Sequence, residues 1–263
     1  MADFHRVELA DSRFQLSRLS GLRFRGCEVV DARFHIAELS GVVLRGVEMH
    51  NVEISGDVGN LIVNGVEVGP LIEAELDRRY PERAGMRPTD ADGFRAAWAV
   101  VERLWEGTVE RARQLEPRLL HESVDGEWTF IETLRHLVLV TDGWISRTVL
   151  GDPAPWDPLG LPWDDPDETR PLPAGLTRDR EARPSLDTVL ELRRRRQATV
   201  RELVAGLTDE SLAAGTEPVG VPGWPESRSY RLGTVLLHLL HEEWEHRLYA
   251  ERDLTALRAT PLP

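Results

Sequence analysis

The chain has 263 residues, of which 41% are hydrophobic and 29% charged, and it carries a formal net charge of −13. This is the composition of an ordinary globular protein, and no apolar run approaches the roughly 18 residues that a membrane helix requires. The acidic balance argues against nucleic-acid binding, which needs basic patches. The N-terminus lacks the features of a signal peptide, and Cys27 is the only cysteine. We therefore expect a cytoplasmic protein with no nucleic-acid or membrane partner.

A five-residue period occupies the start of the chain. A helix of about 3.6 residues per turn or a strand of period two would not produce this spacing. It predicts a square solenoid, in which each five-residue segment forms one side and the repeated side chains stack into a core. The segment resembles the pentapeptide-repeat family, which implies a right-handed quadrilateral β-helix over residues 1–58. The apolar centres of the repeat are Phe4, Leu9, Phe14, Leu19, Phe24, Val29, Phe34, Leu39, Leu44, Met49 and Ile54.

The segment after the repeat predicts a cap and a linker, over residues 59–88. Asn64-Gly65 stands between two apolar runs and indicates a β-hairpin. Pro70 suits the first turn of a short helix, and residues 81–88 are typical of a linker. For the solenoid itself we favour a docking or structural role over imitation of DNA, because its nine acidic residues are nearly balanced by seven arginines.

Four long helices are predicted in the remainder, residues 89–263. Thr89 with Asp92 begins the first helix, expected to end near residue 115, and the capping box of Thr129 and Glu132 begins the second, expected to end near residue 150. A long proline- and aspartate-rich crossover, residues 151–183, follows the second helix. The third helix is expected from about residue 184 to 206 and the fourth from about 229 to 254. This pattern indicates a bundle of the kind that builds metal sites between facing helices. The predicted class is thus a two-domain α+β protein, with a β-helix followed by a metal-binding four-helix bundle.

Candidate metal ligands lie on the second and fourth of these helices. His238, Glu242 and His246 are spaced four apart and therefore share one helix face. His136, in the middle of the second helix, supplies the ligand that a facing helix must add. We predict a site of His136, Glu242 and His246, with His238 as second choice, against the alternatives of a hydrogen-bonded core histidine and a solvated face. Such a three-ligand site leaves a position open for water or substrate.

These residues resemble a known family, the DinB-like superfamily of four-helix bundles, over about residues 90–254. In that family a histidine of the second helix joins two residues four apart on the last helix. The Glu242-x3-His246 pattern resembles the branch that includes mycothiol-dependent maleylpyruvate isomerases, and residues 129–136 look like the family's approach to its first ligand. The resemblance implies a divalent metal, with zinc expected first and nickel or another transition metal as alternatives. It also implies a mycothiol-type thiol cosubstrate.

Two classes of function follow from these observations. The first is a metal-dependent thiol S-transferase or isomerase that activates a low-molecular-weight thiol toward an electrophile, or a hydrolase that uses bound water instead. Tyr249 is the candidate catalytic residue, and the run Arg193–Arg196 is either a solvated face or an anion clamp. The second class is a non-enzymatic, metal-stabilised scaffold that recruits a protein partner or a second subunit. A fourth protein ligand would favour the scaffold, and an accessible coordination position would favour the enzyme.

Overall fold

The structure is a computed structural model that describes residues 7, 9, 12, 14, 20–34, 37–56, 58–163 and 171–259. The chain divides into two units. The first consists of Met1–Ile54 and Trp163–Pro171, and the second of Ser55–Pro162 and Leu172–Pro263. In the described part of the chain, all of the helices belong to the second unit.

The predicted β-helix is wrong. Among the described residues of the first unit there is no strand, and the repeated side chains are exposed instead of forming a core: Phe24 and Phe34 are each 68% exposed and Leu44 is 60% exposed. Cys27 is also exposed. Of the predicted centres, Phe4 and Leu19 lie outside the described residues. A solenoid buries its repeats only where successive coils stack. Eleven five-residue segments, at four per coil, make fewer than three coils and so offer few such neighbours.

The five-residue period appears instead in the backbone of the first unit. Residues with positive φ recur at this spacing, and most of them are glycines, which adopt this conformation without steric cost. The repeat therefore specifies a recurring turn, which is a local property, and not a packed core. The residues concerned are Gly21, Gly26, Asp31, Gly41, Gly46 and Asn51.

The predicted hairpin is present in the second unit. Strand β1 (Ile62–Val63) pairs antiparallel with strand β2 (Val66–Glu67). Asn64 and Gly65 connect the strands with φ values of 50° and 82°. Two positive φ values in a two-residue loop define the tight turn that matches the twist of the flanking strands.

The residues after the hairpin form a helix and a 3-10 turn. The sequence predicted a short helix followed by a linker, but the turn packs on the bundle. Helix α1 (Gly69–Arg79) has a proline in its first turn, as expected. It leads into a 3-10 turn, Pro81–Met86, that contacts two helices of the bundle and buries Met86. Arg83 joins the two pieces through ion pairs with Glu73 and Asp77, each 2.8 Å long.

The helical bundle is confirmed. Its long helices are α2 (Ala91–Ala112), α3 (Phe130–Thr141), α4 (Leu186–Ala205) and α6 (Leu232–Ala259), with the short α5 (Asp209–Ala213) before the last. Helices α2 and α3 each pack against both α4 and α6, so the four surround one apolar core. No described helix has the length and apolar character needed to span a bilayer.

The start of α3 follows the sequence prediction, but its end does not. The side chain of Thr129 accepts from the Glu132 backbone while the Glu132 side chain accepts from the Thr129 backbone, which completes the predicted capping box. After Thr141 the helix continues as a π-helical turn, Asp142–Arg147. Such turns are rare and frequently lie at functional sites. This one carries Trp144 to a position against α6, where its ring centroid lies 4.8 Å from that of His238.

Candidate metal centre

His136 of α3 meets Glu242 and His246 of α6 between these two helices. One potential ligand atom from each residue lies within 4.8 Å of the other two. Glu242 Oε2 is 3.1 Å from His246 Nε2 and 3.7 Å from His136 Nε2. The four-residue spacing of Glu242 and His246 places them on the same face of α6. The structure thus brings together the three side chains that the sequence selected.

The protonation of His136 is set by the crossover. Its side chain is 8% exposed, and Nδ1 lies 3.0 Å from the Leu161 carbonyl oxygen. A carbonyl oxygen can only accept, so Nδ1 carries the proton and the neutral ring turns the lone pair of Nε2 toward Glu242. Burial also lowers the pKa of His136, which disfavours a second proton on the ring. Two acceptors therefore face each other, an arrangement that a bound cation would stabilise.

Glu242 is the anionic member of the group. Burial alone would raise its pKa, but the contact with His246, whose Nε2 lies 3.1 Å away and can donate a hydrogen bond, opposes burial, and the pKa lies below its ordinary value. Its second oxygen, Oε1, lies 3.4 Å from Nε2 of His238. His238, the second choice of the sequence prediction, therefore lies nearest the carboxylate oxygen that the two other histidines do not contact.

A buried arginine holds the crossover that positions His136. Arg135, 1% exposed, donates to the carbonyl oxygens of Leu159 at 2.8 Å and of Asp179 at 2.6 Å. Its own carbonyl accepts from the Leu161 backbone N–H at 3.2 Å. The carbonyl that orients His136 is consequently fixed by the residue next to it on α3. Partners of this kind, which orient a ligand without touching the metal, tune metal affinity.

Aromatic rings border the three side chains. Trp128 lies 4.5 Å from His136 between ring centroids and stacks on His246 at 5.8 Å with an interplanar angle of 8°. Tyr249, the candidate catalytic residue, lies edge-on to His246 at 6.3 Å. The sequence reasoning missed Trp128. The signal that could have found it is its place directly before the capping residue Thr129, two turns ahead of His136.

The arginine run of α4 does not face this site as a unit. Arg193 is buried and makes two 2.7 Å hydrogen bonds to Glu243. Arg196 pairs with Asp142 at 2.9 Å. The two middle arginines, Arg194 and Arg195, are exposed and pair with Glu191. The run is therefore neither a uniformly solvated face nor a single anion clamp, because its two outer members form buried or half-buried ion pairs and its two middle members form surface ion pairs.

The fold and site define a four-helix bundle with a His-Glu-His group that could hold a metal ion. A family model described as the DinB superfamily matches residues 100–250. The match covers more than half of the chain, so this protein belongs to the DinB superfamily. It includes the three site residues and does not distinguish among the branches of the superfamily. Comparisons with curated proteins and with solved structures found no match.

Proposed function

We propose that the protein binds one divalent transition-metal ion through His136, Glu242 and His246 and uses it in the transfer of a small thiol. The observation that carries metal binding is the buried, neutral His136 whose Nε2 faces a carboxylate oxygen at 3.7 Å. Two imidazoles and one carboxylate suit Zn²⁺, with Ni²⁺ as the next choice. This donor set, and the Leu161 hydrogen bond behind it, support the proposal.

The group also has the composition of a reactive site. Among the described residues, the cluster that could hold an ion consists of these three side chains, which is the number that catalytic zinc sites use. A divalent ion there would supply Lewis acidity that lowers the pKa of a coordinated thiol or water. The carboxylate of Glu242 would balance part of the ion's charge, and the Leu161 carbonyl holds His136 in the tautomer that could bind it. Trp128 and Tyr249 would then supply apolar contacts to a bound molecule and limit the access of water.

Thiol transfer or isomerisation is our choice among metal-assisted reactions. The Glu-x3-His spacing on α6 resembles the thiol-dependent isomerases, and a mycothiol-type thiol with a small electrophile would be the reacting pair. Tyr249 is the residue we assign to substrate orientation, because its ring lies beside His246. A hydrolase that uses water at the same ion is the alternative, and it would need no thiol.

The test is to load the protein with cobalt(II) and add a small thiol. We expect one bound ion per chain and a sulfur-to-cobalt absorption band that saturates with thiol. His246→Gln should lose the ion, whereas His241→Gln should retain it, since His241 is an exposed histidine of the same helix. Wild-type protein without metal would contradict the site. If a fourth side chain coordinates the loaded ion and thiol therefore cannot bind, the proposed reaction would be contradicted.

A further inference from the structure

A polar groove lies on a different side of α6 from the candidate metal centre, against α2 and the segment after α1. It has a volume of about 360 Å³, within the range of about 300 to 1,000 Å³ typical of small-ligand pockets. Arg247 follows His246 by one residue and so projects about 100° away around the helix. We call this the arginine groove, and the lining residues used here are Tyr80, Arg111, Arg247, Leu248, Glu251 and Arg252.

The charges in the groove do not cancel. Three arginines line it against one carboxylate, so the lining carries a formal charge of +2. Glu251 is already engaged, because it pairs with Arg111 and accepts a 2.5 Å hydrogen bond from Thr108. Arg252 pairs with Asp253 at 2.7 Å and remains 44% exposed. An anion that entered the groove would meet guanidinium groups that the protein has only partly neutralised.

Arg247 is the least satisfied of the three. Its side chain is 12% exposed, and its Nη1 is 3.7 Å from Glu251 and 3.5 Å from Thr108, which are long contacts for a charged donor. Its Nε is buried and has no hydrogen-bond partner within the described residues. A buried guanidinium with unfilled donors costs free energy, and an oxyanion that accepts two hydrogen bonds would recover it.

The groove also has an apolar side. Leu248 and the ring of Tyr80 line it, and Tyr80 is itself held edge-on against the buried Trp244 with 6.3 Å between ring centroids. Such apolar contacts would not stabilise a bound inorganic ion, whereas they would stabilise an organic acid with a hydrophobic body. The arginines and the apolar side of the lining together favour an organic anion.

We infer that the arginine groove binds a small organic anion, with its carboxylate or phosphate group between Arg247 and Arg252 and its apolar body against Tyr80 and Leu248. This site is separate from the proposed metal centre. It requires neither the ion nor the thiol reaction.

The experiment measures binding to the full-length, metal-free protein at low salt, by calorimetry and ligand-observed NMR. Three probes separate the possibilities: benzoate, phenyl phosphate and inorganic phosphate. We expect saturable binding of at least one aromatic anion, with inorganic phosphate at least tenfold weaker. The ratio of benzoate to phenyl phosphate affinity identifies the head group. Equal binding of inorganic phosphate would overturn the organic-anion assignment, and no saturable binding of any probe would overturn the site.

Variants locate the binding. Arg247→Met keeps an apolar stem and should weaken the tighter probe by about tenfold or more, given the strength of charge-assisted hydrogen bonds. Arg252→Gln, at a more exposed position, should also weaken it, and the glutamine amide can still donate to Asp253. Arg201→Gln removes a surface arginine that pairs with Glu102 on another face and should leave affinity unchanged. Glu242→Gln should also bind normally. Undiminished binding in folded Arg252→Gln and Arg247→Met would refute the inference, as would loss of binding in Glu242→Gln.

Discussion

His136 and Leu161 are joined across the crossover by a 3.0 Å hydrogen bond from the imidazole Nδ1 to the backbone carbonyl oxygen. The bond leaves Nε2 as the free nitrogen of the ring, aimed at the carboxylate of Glu242. A loop of irregular backbone therefore decides which nitrogen of a helical histidine is available. The predictions for the metal centre depend on this link and on the side chains that hold it.

Loosening the crossover should weaken metal binding without removing a ligand. Arg135→Gln removes donors to the Leu159 and Asp179 carbonyls and should lower metal affinity by roughly tenfold or more, the scale seen for residues that orient a ligand. Chelator competition measures this. Arg183→Gln is the matched control, because Arg183 also donates to a crossover carbonyl but is exposed. Equal affinities of wild type and Arg135→Gln would show that the crossover does not position His136.

Two substitutions test whether Glu242 or His238 is the metal ligand. Glu242→Gln removes the charge that both other ligands face and should abolish stoichiometric binding. His238→Gln should keep one ion per chain, since His238 lies 3.4 Å from Oε1 of the carboxylate whereas His136 and His246 contact Oε2. Metal analysis of the purified, loaded proteins decides the matter. Retention of metal by Glu242→Gln with loss in His238→Gln would reverse the assignment.

The pKa of His136 predicts how the metal-free protein responds to acid. Burial lowers this pKa in the folded state, so the unfolded chain takes up the proton first as pH falls below about 6.5. The stability due to neutral His136 is complete above that pH and is lost as pH falls through the folded-state pKa. Each pKa unit between the unfolded and folded states changes the free energy of unfolding by about 1.4 kcal/mol. Glu242 does not titrate in this window, because its pKa is held below its ordinary value.

Urea unfolding of apoprotein between pH 7.5 and 5 tests this prediction. His136→Gln should show a smaller decline of the unfolding free energy than wild type. His50→Gln, at an exposed histidine of the first unit, should decline as wild type does. Parallel curves for wild type and His136→Gln would mean that the proton on His136 costs nothing in the folded protein.

The grouping of His136, Glu242 and His246 could be predicted from the sequence because its geometry is mostly local. Glu242 and His246 share a face of one helix by spacing alone, and the capping box fixed the phase of the helix that carries His136. The Leu161 carbonyl could not be predicted in this way. It lies 25 residues from His136 in a crossover of irregular backbone, and only the packing of that crossover brings it to the ring.

The wrong β-helix prediction and the mixed environments of the arginine run have a common physical cause. A five-residue period fixes a recurring positive φ, as at Gly21 and Gly41, but the burial of side chains such as Phe24 depends on coils that stack. In the same way, four consecutive arginines look uniform in sequence, although a helix points them in four directions. Only the neighbouring helices determine that Arg193 is buried.

The buried pair of Arg193 and Glu243 should be a strong determinant of bundle stability. The two side chains are 3% and 0% exposed, and Arg193 also lies over the ring of Trp105 at 5.3 Å. Arg193→Met leaves the Glu243 carboxylate buried without its partner, so we expect a loss of about 3 to 5 kcal/mol in the free energy of unfolding. Replacing both residues with Met should restore much of that loss, because an apolar pair of similar size carries no desolvation cost.

Denaturant unfolding of the single and double variants measures this coupling. Arg195→Met is the control within the same run, since Arg195 is 67% exposed and should change stability by less than about 0.5 kcal/mol. A double variant no more stable than Arg193→Met would show that the pair is held for its geometry around Trp105 and not to neutralise a buried charge. A single variant as stable as wild type would mean that Glu243 takes up a proton at little cost when its partner is lost.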